Sequence, residues 1–148
     1  MINEGQQAPD FSLPDSENAK QISLHDFSGK QNVVLIMYPG DDTLGCTKQL
    51  CAVRDNYEDF KNYNTVVLGI NHENAESHNK FIHKYGLKNI LLIDNGRKVI
   101  EQYGALGSFL GHPSTKRSVI IIDKKATIRK IWRGLPSHQE IKLELQKL

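Results

Sequence analysis

The chain has 148 residues, 39% of them hydrophobic and 24% charged, which is the balance of an ordinary globular protein and not of a disordered one. Lys and Arg number 19 against 17 Asp and Glu, a net charge of +2 that gives no reason to expect nucleic acid or an anionic membrane as the main partner. The longest aliphatic run, residues 33–37, is far short of the roughly 20 residues a transmembrane helix needs.

The opening MINEGQQ has neither a basic nor an apolar leader region, so no secretory signal is expected. The expected compartment is the cytoplasm, where thiols stay reduced. Two cysteines are too few for a disulfide framework there, so they matter as chemistry if they matter at all. No repeat or linker divides the chain, and one domain over residues 1–148 is expected.

In chain order, residues 11–13 and 21–24 alternate apolar and polar like short strands around the turn residues 14–18. Ser23 is placed to cap a short turn through Asp26 and Phe27. Residues 32–38 (NVVLIMY) lack polar alternation, which suits a central strand buried on both faces. Pro39-Gly40 ends it, and a polar loop follows. From about Cys46 to Phe60 the spacing of Leu50, Val53, Tyr57 and Phe60 predicts one helix with an apolar stripe.

Residues 65–70 predict a second buried strand. Residues 75–85 predict a helix closed by Gly86. Residues 89–93 predict a short strand, residues 97–103 a short helix, and residues 105–116 a surface loop. Residues 118–122 and 127–132 flank Asp123-Lys124-Lys125-Ala126 like the arms of a hairpin. Ser137 and Glu140 form a capping box that opens the last helix. This β–α–β–α order with a late hairpin predicts an α/β fold, thioredoxin-like. Its mixed sheet is flanked by helices, with additions at the N-terminus and in the middle.

Cys46 falls where the first strand has ended and the helix begins. Free N–H groups and the positive dipole end stabilise a thiolate there, and the thiolate is the nucleophile. Position alone leaves a second reading open, that of a small buried apolar residue. Thr43, three residues earlier, carries a hydroxyl that can accept from or donate to a bound substrate, or can cap the helix. Pro39 stiffens the loop and brings no N–H, or simply ends the strand. Cys51 shares the predicted helix. A five-residue step on an intact helix rises about 7.5 Å and turns about 140°. Disulfides rarely bridge Cα atoms beyond about 7 Å, so the two sulfurs cannot join while the helix is whole.

Pro39-Gly40-Asp41-Asp42-Thr43-Leu44-Gly45-Cys46 fits the P-x-x-x-T-x-x-C motif of peroxiredoxins. The wording from Tyr38 to Thr47 resembles the bacterioferritin-comigratory, or Q-type, branch. Residues 5–13 (GQQAPDFSL), residues 76–87, Tyr103-Gly104 and residues 117–123 (RSVIIID) resemble other parts of that family, so the likeness spans nearly the whole chain. Gly40, Leu44 and Asn71-His72 depart from its commonest wording.

The resemblance implies a thiol-dependent peroxidase with no metal, haem or flavin. Cys46 is then the peroxidatic cysteine, which attacks the O–O bond and becomes a sulfenic acid. Arg117 stabilises the thiolate and the leaving oxygen. Thr43 and the N–H groups of Gly45 and Cys46 orient the peroxide, and Pro39 shapes the pocket. Cys51 resolves the sulfenic acid after local melting of residues 46–52, or packs passively while an outside thiol does so. Implied partners are hydrogen peroxide, small alkyl hydroperoxides and thioredoxin or a glutaredoxin-type reductant. The implied state is a monomer.

A thiol–disulfide oxidoreductase or peroxide sensor that passes oxidation to a partner protein would share both cysteines without needing the Thr43–Arg117 pair. The six histidines lack metal-site spacing, and most read as surface residues. Asp41-Asp42 reads as loop polarity near the pocket mouth.

Overall fold

The computed structural model describes residues 2–148. A five-stranded sheet runs in the order β5-β4-β3-β8-β9. Its strands are β3 (Asn32–Met37), β4 (Thr65–Asn71), β5 (Ile90–Ile93), β8 (Ser118–Ile122) and β9 (Ile128–Trp132). β3, β4 and β5 are parallel, while β8 pairs antiparallel with β3 and β9 antiparallel with β8 at the edge. The mixed sheet expected from the element order is therefore present.

Every residue of β3 is buried, because alternate side chains enter two cores. Val33, Leu35 and Met37 meet Phe11, Val99, Ile100 and Tyr103 on one face. Val34, Ile36 and Tyr38 meet Cys46, Leu50, Phe60, Phe81 and Ile141 on the other. The second face is covered by α1 (Leu44–Asp55), α2 (Tyr57–Asn62), α3 (Ala75–Tyr85) and α5 (His138–Leu145); the first by α4 (Lys98–Gln102) and the N-terminal segment. That segment holds the small sheet β1 (Ser12–Pro14) with β2 (Gln21–Ser23), followed by the 3-10 turn Leu24–Phe27.

Three expectations change. The helix expected over residues 46–60 starts two residues earlier and breaks at Asn56, separating α1 from α2. Asn56 turns its side chain back to the Ala52 carbonyl at 2.8 Å, competing with continued helix as short amides do. The expected loop 105–116 contains a hairpin, β6 (Leu106–Phe109) with β7 (His112–Thr115). Its two-residue turn needs positive φ twice, met by Leu110 at 52° and Gly111 at 80°. Only the glycine signals that turn in the sequence; a left-handed leucine gives no cue. The short helix after Arg97 spans Lys98–Gln102, with Arg97 itself left-handed at its start.

Two cap readings hold, while Ser23 makes no side-chain cap bond to the turn it precedes. Gly86 closes α3 at φ 63°, and Ser137 with Glu140 forms the reciprocal cap of α5 at 3.1 and 2.7 Å. Among the described residues no helix is long and apolar enough to cross a membrane.

Candidate active site

β3 delivers the chain to the C-terminal edge of the parallel strands, where Pro39 and Gly40 turn it into a loop ending at Thr43, the N-cap of α1. The first intrahelical bond runs from Thr47 N–H to the Thr43 carbonyl, 2.8 Å. The N–H groups of Leu44, Gly45 and Cys46 thus precede the helical ladder. No side chain caps this end, and no acidic residue lies in the first turn. The positive end of α1 is left unneutralised beside Cys46.

Cys46 has no exposed surface, and its Sγ accepts from Arg117 Nη2 at 3.2 Å. The other arm of the guanidinium donates to Gln49 Oε1 at 2.7 Å. Arg117 stands one residue before β8, which pairs antiparallel with β3, so the sheet itself brings residues 71 positions apart into contact. Gln49 lies one helical turn past Cys46 and holds the fork in place as a neutral acceptor, which leaves the guanidinium charge to the sulfur. Gly45 is required at close quarters: a Cβ there would sit 3.0 Å from Arg117 Nη2.

Thr43 is exposed, and its hydroxyl donates to the Gly40 carbonyl at 3.3 Å instead of capping α1. With its proton so directed, the oxygen has lone pairs to offer an incoming O–H. Pro39 is exposed directly after the strand. Cys51 is half-buried on α1, and both cysteines are free thiols on one unbroken helix. The structure thus joins Arg117 to Cys46 directly, places Thr43 and Pro39 in the loop before them, and keeps Cys51 apart, further round the helix. A groove of about 370 Å³ between α1 and α5 is lined by Gln49 but by neither Cys46 nor Arg117.

Two readings of the sequence are corrected beneath this loop. Asp41 is not loop polarity at the surface: its side chain is 3% exposed. Its Oδ1 accepts from the Tyr38 hydroxyl at 2.7 Å and from Asn71 Nδ2 at 3.1 Å. Its Oδ2 accepts from Ser77 Oγ at 2.7 Å and meets His78 Nδ1 at 2.6 Å. His78 is not a surface residue either, being wholly buried, with Nε2 3.1 Å from the Leu92 carbonyl. Both ring nitrogens face acceptor oxygens, and Asp41 with His78 forms a buried carboxylate–imidazole pair.

Burial works against the Asp41 charge. The bond and charge of His78, with the Ser77 and Tyr38 hydroxyls, outweigh it and hold the carboxyl below its ordinary range. Burial first, then Asp41, then Cys46 and Glu73 push the Tyr38 phenol far up, so it stays a donor. Asp42, at φ 55°, accepts from Lys84 Nζ at 2.8 Å and Tyr85 Oη at 2.6 Å, tying the same loop to the far end of α3.

Gln49, Asp41 and His78 were not picked out by the sequence reading. The i+3 spacing from Cys46 is a signal for Gln49. For Asp41 and His78 no local signal exists, because what buries them is the meeting of β3, β4 and α3.

The AhpC/TSA family model matches residues 4–131. The chain is 44% identical over 133 residues to peroxiredoxin Q, chloroplastic, of Arabidopsis thaliana, which covers 90% of this chain and 60% of the relative. It is 40% identical to the protein of that name in Populus jackii, covering 90% and 61%. The chain thus spans about three fifths of the length of these curated relatives. The crystal structure of peroxidoxin BcpB from Mycobacterium tuberculosis superposes with a TM-score of 0.91 at 25% identity, over 100% of this chain and 99% of that one. A PrxQ mutant of Xylella fastidiosa does so at 0.91 and 23%, over 99% and 97%. The fold is the thioredoxin-like fold of these structures, and a family model matching most of the chain's length places it: the chain belongs to the AhpC/TSA family.

Proposed function

We propose that the chain is a thiol peroxidase for hydrogen peroxide and small alkyl hydroperoxides. The observation that carries the reading is Arg117 Nη2 at 3.2 Å from the buried Cys46 sulfur, at an uncapped helix start. The Cys46 thiolate attacks the nearer peroxide oxygen. An S–O bond forms, the O–O bond breaks, and the leaving oxygen departs as water or alcohol once protonated. Sulfur loses two electrons and the peroxide gains them. The fixed donors of Arg117 and the free N–H groups of the first turn face the charge that develops on the leaving oxygen. Thr43, with its hydroxyl proton on Gly40, accepts from the substrate O–H and sets its approach. Pro39 brings no N–H to the loop and leaves the Thr43 acceptor and the donors of Arg117 and the helix start unopposed.

Cys51 then attacks the Cys46 sulfenic acid, forming the disulfide and releasing water. With both residues on intact α1, the step requires the segment 46–52 to unwind. A dithiol protein of the thioredoxin or glutaredoxin kind returns the pair to thiols, becoming a disulfide itself. Because both cysteines sit on one helix of one chain, the cycle needs no second copy, and we place it in a monomer acting as one domain. It requires a reducing compartment, for which the cytoplasm is our reading; the relatives' printed names place those proteins in chloroplasts.

Single-turnover oxidation read by intact mass tests the scheme. Wild type should lose two hydrogens quickly. Cys46→Ser should not react, and Cys51→Ser should gain one oxygen as a trappable sulfenic acid. Slow oxidation of wild type, or equal loss from either substitution, overturns the scheme.

A further inference from the structure

The peroxidase reading uses Thr43 but leaves unexplained why a carboxylate and a histidine ring are buried beneath it. Removing such groups from water is costly unless they are well bonded. Here every carboxylate and ring site is occupied, from four elements: Tyr38 after β3, Asn71 at the end of β4, Ser77 and His78 in the first turn of α3, and the Leu92 carbonyl of β5. The backbone of Asp41 is fixed as well, since its N–H donates to Glu73 Oε2.

That bond has a mechanical consequence. The Asp41 N–H and the Gly40 C=O belong to one planar trans peptide and point in opposite directions. Holding the N–H on Glu73 aims the Gly40 oxygen the other way, where it receives the Thr43 hydroxyl. The side-chain network anchors Asp41 on one side of this peptide, and Glu73 receives its N–H. A threonine hydroxyl otherwise has three staggered orientations, one of which turns its proton instead of a lone pair toward a substrate O–H.

We propose that the buried Asp41–His78 pair is a positioning device for peroxide, orienting the Thr43 hydroxyl through the Gly40 carbonyl. It rests on the peroxidase reading and assigns that site two further residues that touch neither the sulfur nor the substrate.

The test compares two reagents in a Cys51→Ser background. Hydrogen peroxide needs its O–H oriented; iodoacetamide needs only an accessible thiolate. Tyr38→Phe removes one donor to Asp41 and keeps the ring. His78→Gln removes the Asp41 contact and keeps a donor near the Leu92 carbonyl. Each should slow single-turnover peroxide oxidation, His78→Gln by about tenfold, with alkylation changed by less than about twofold. In a Thr43→Val background, either substitution should add less than about a further twofold, because the residue it acts through is gone.

Equal slowing of both reagents would mean a general loosening of the site and would overturn the proposal. So would a full effect of Tyr38→Phe or His78→Gln in Thr43→Val, or no effect of either. If His78→Gln fails to fold, Tyr38→Phe decides alone. A parent protein that meets peroxide no faster than a free thiol overturns the peroxidase reading and this inference together; a fast parent with unchanged variants overturns only the inference.

Discussion

Leu50 sits between the two cysteines on α1 and has no exposed surface, packed in the cluster that contains Cys46, Val53 and Phe60. Unwinding residues 46–52 must pull it out of that core. Truncating a fully buried leucine to alanine costs about 3 kcal/mol. Because Leu50 is buried only while the helix is closed, the same loss lowers the cost of opening. At about 1.4 kcal/mol per factor of ten, the opening equilibrium rises about a hundredfold if the open segment exposes Leu50 fully, and about tenfold if half the burial survives.

Leu50→Ala should therefore melt roughly 6–12 °C lower, yet form the 46–51 disulfide at least about tenfold faster from the sulfenic acid, and accumulate less sulfinic acid at high peroxide. Quench-flow mass spectrometry measures the disulfide step, and amide exchange over residues 46–52 measures opening. Faster exchange with an unchanged disulfide rate would refute the argument, since disulfide formation would then not wait on this unwinding.

Gly45→Ala should raise helix propensity by about 1 kcal/mol while its Cβ, 3.0 Å from Arg117 Nη2, displaces the guanidinium, so thermal stability holds or rises as peroxide reactivity falls. A melting curve beside a peroxide rate checks the opposed signs. Arg117→Lys keeps the charge but cannot reach Gln49 and Cys46 together, and peroxide oxidation should slow by about a hundredfold; a wild-type rate would show that charge alone suffices. Asp41 titrates below its ordinary value in the folded state, so its stabilisation is complete above the unfolded value and is lost as pH falls through the folded one. Asp41→Asn should cost roughly 3 kcal/mol near neutrality, and the gap should narrow as pH drops below about 4. Denaturant titrations at several pH values measure that gap, and a constant gap would contradict the ion pair.

Much of the frame was legible because its signals are local. An unbroken apolar run makes β3 central whatever surrounds it, and Ser137 with Glu140 closes its own cap. The pattern from Pro39 to Cys46 carries chemistry in residue order alone. What escaped depends on distant chain. Asp41 beside Asp42 looks like any polar turn, and only the packing of α3 against the end of β4 turns one inward and leaves the other out. His78 occupies a helix position that spacing alone cannot tell from solvent. Asn56 interrupts a valid apolar stripe because its amide prefers the Ala52 carbonyl, a competition that hydrophobic periodicity does not register.

Two helices begin side by side at this edge of the sheet, and the chain treats their positive ends differently. α3 is furnished with the Asn74 cap, Glu76 in its first turn and the Asp41 carboxylate held by Ser77 and His78. α1 has no side-chain cap and no acid in its first turn, where Cys46 lies. An arriving negative charge therefore meets one satisfied helix end and one unfilled one at the same edge of the sheet. The preference between them is written into which end was left empty, so filling α1 by placing an acid at Leu44 should quench the site without touching any residue that reacts.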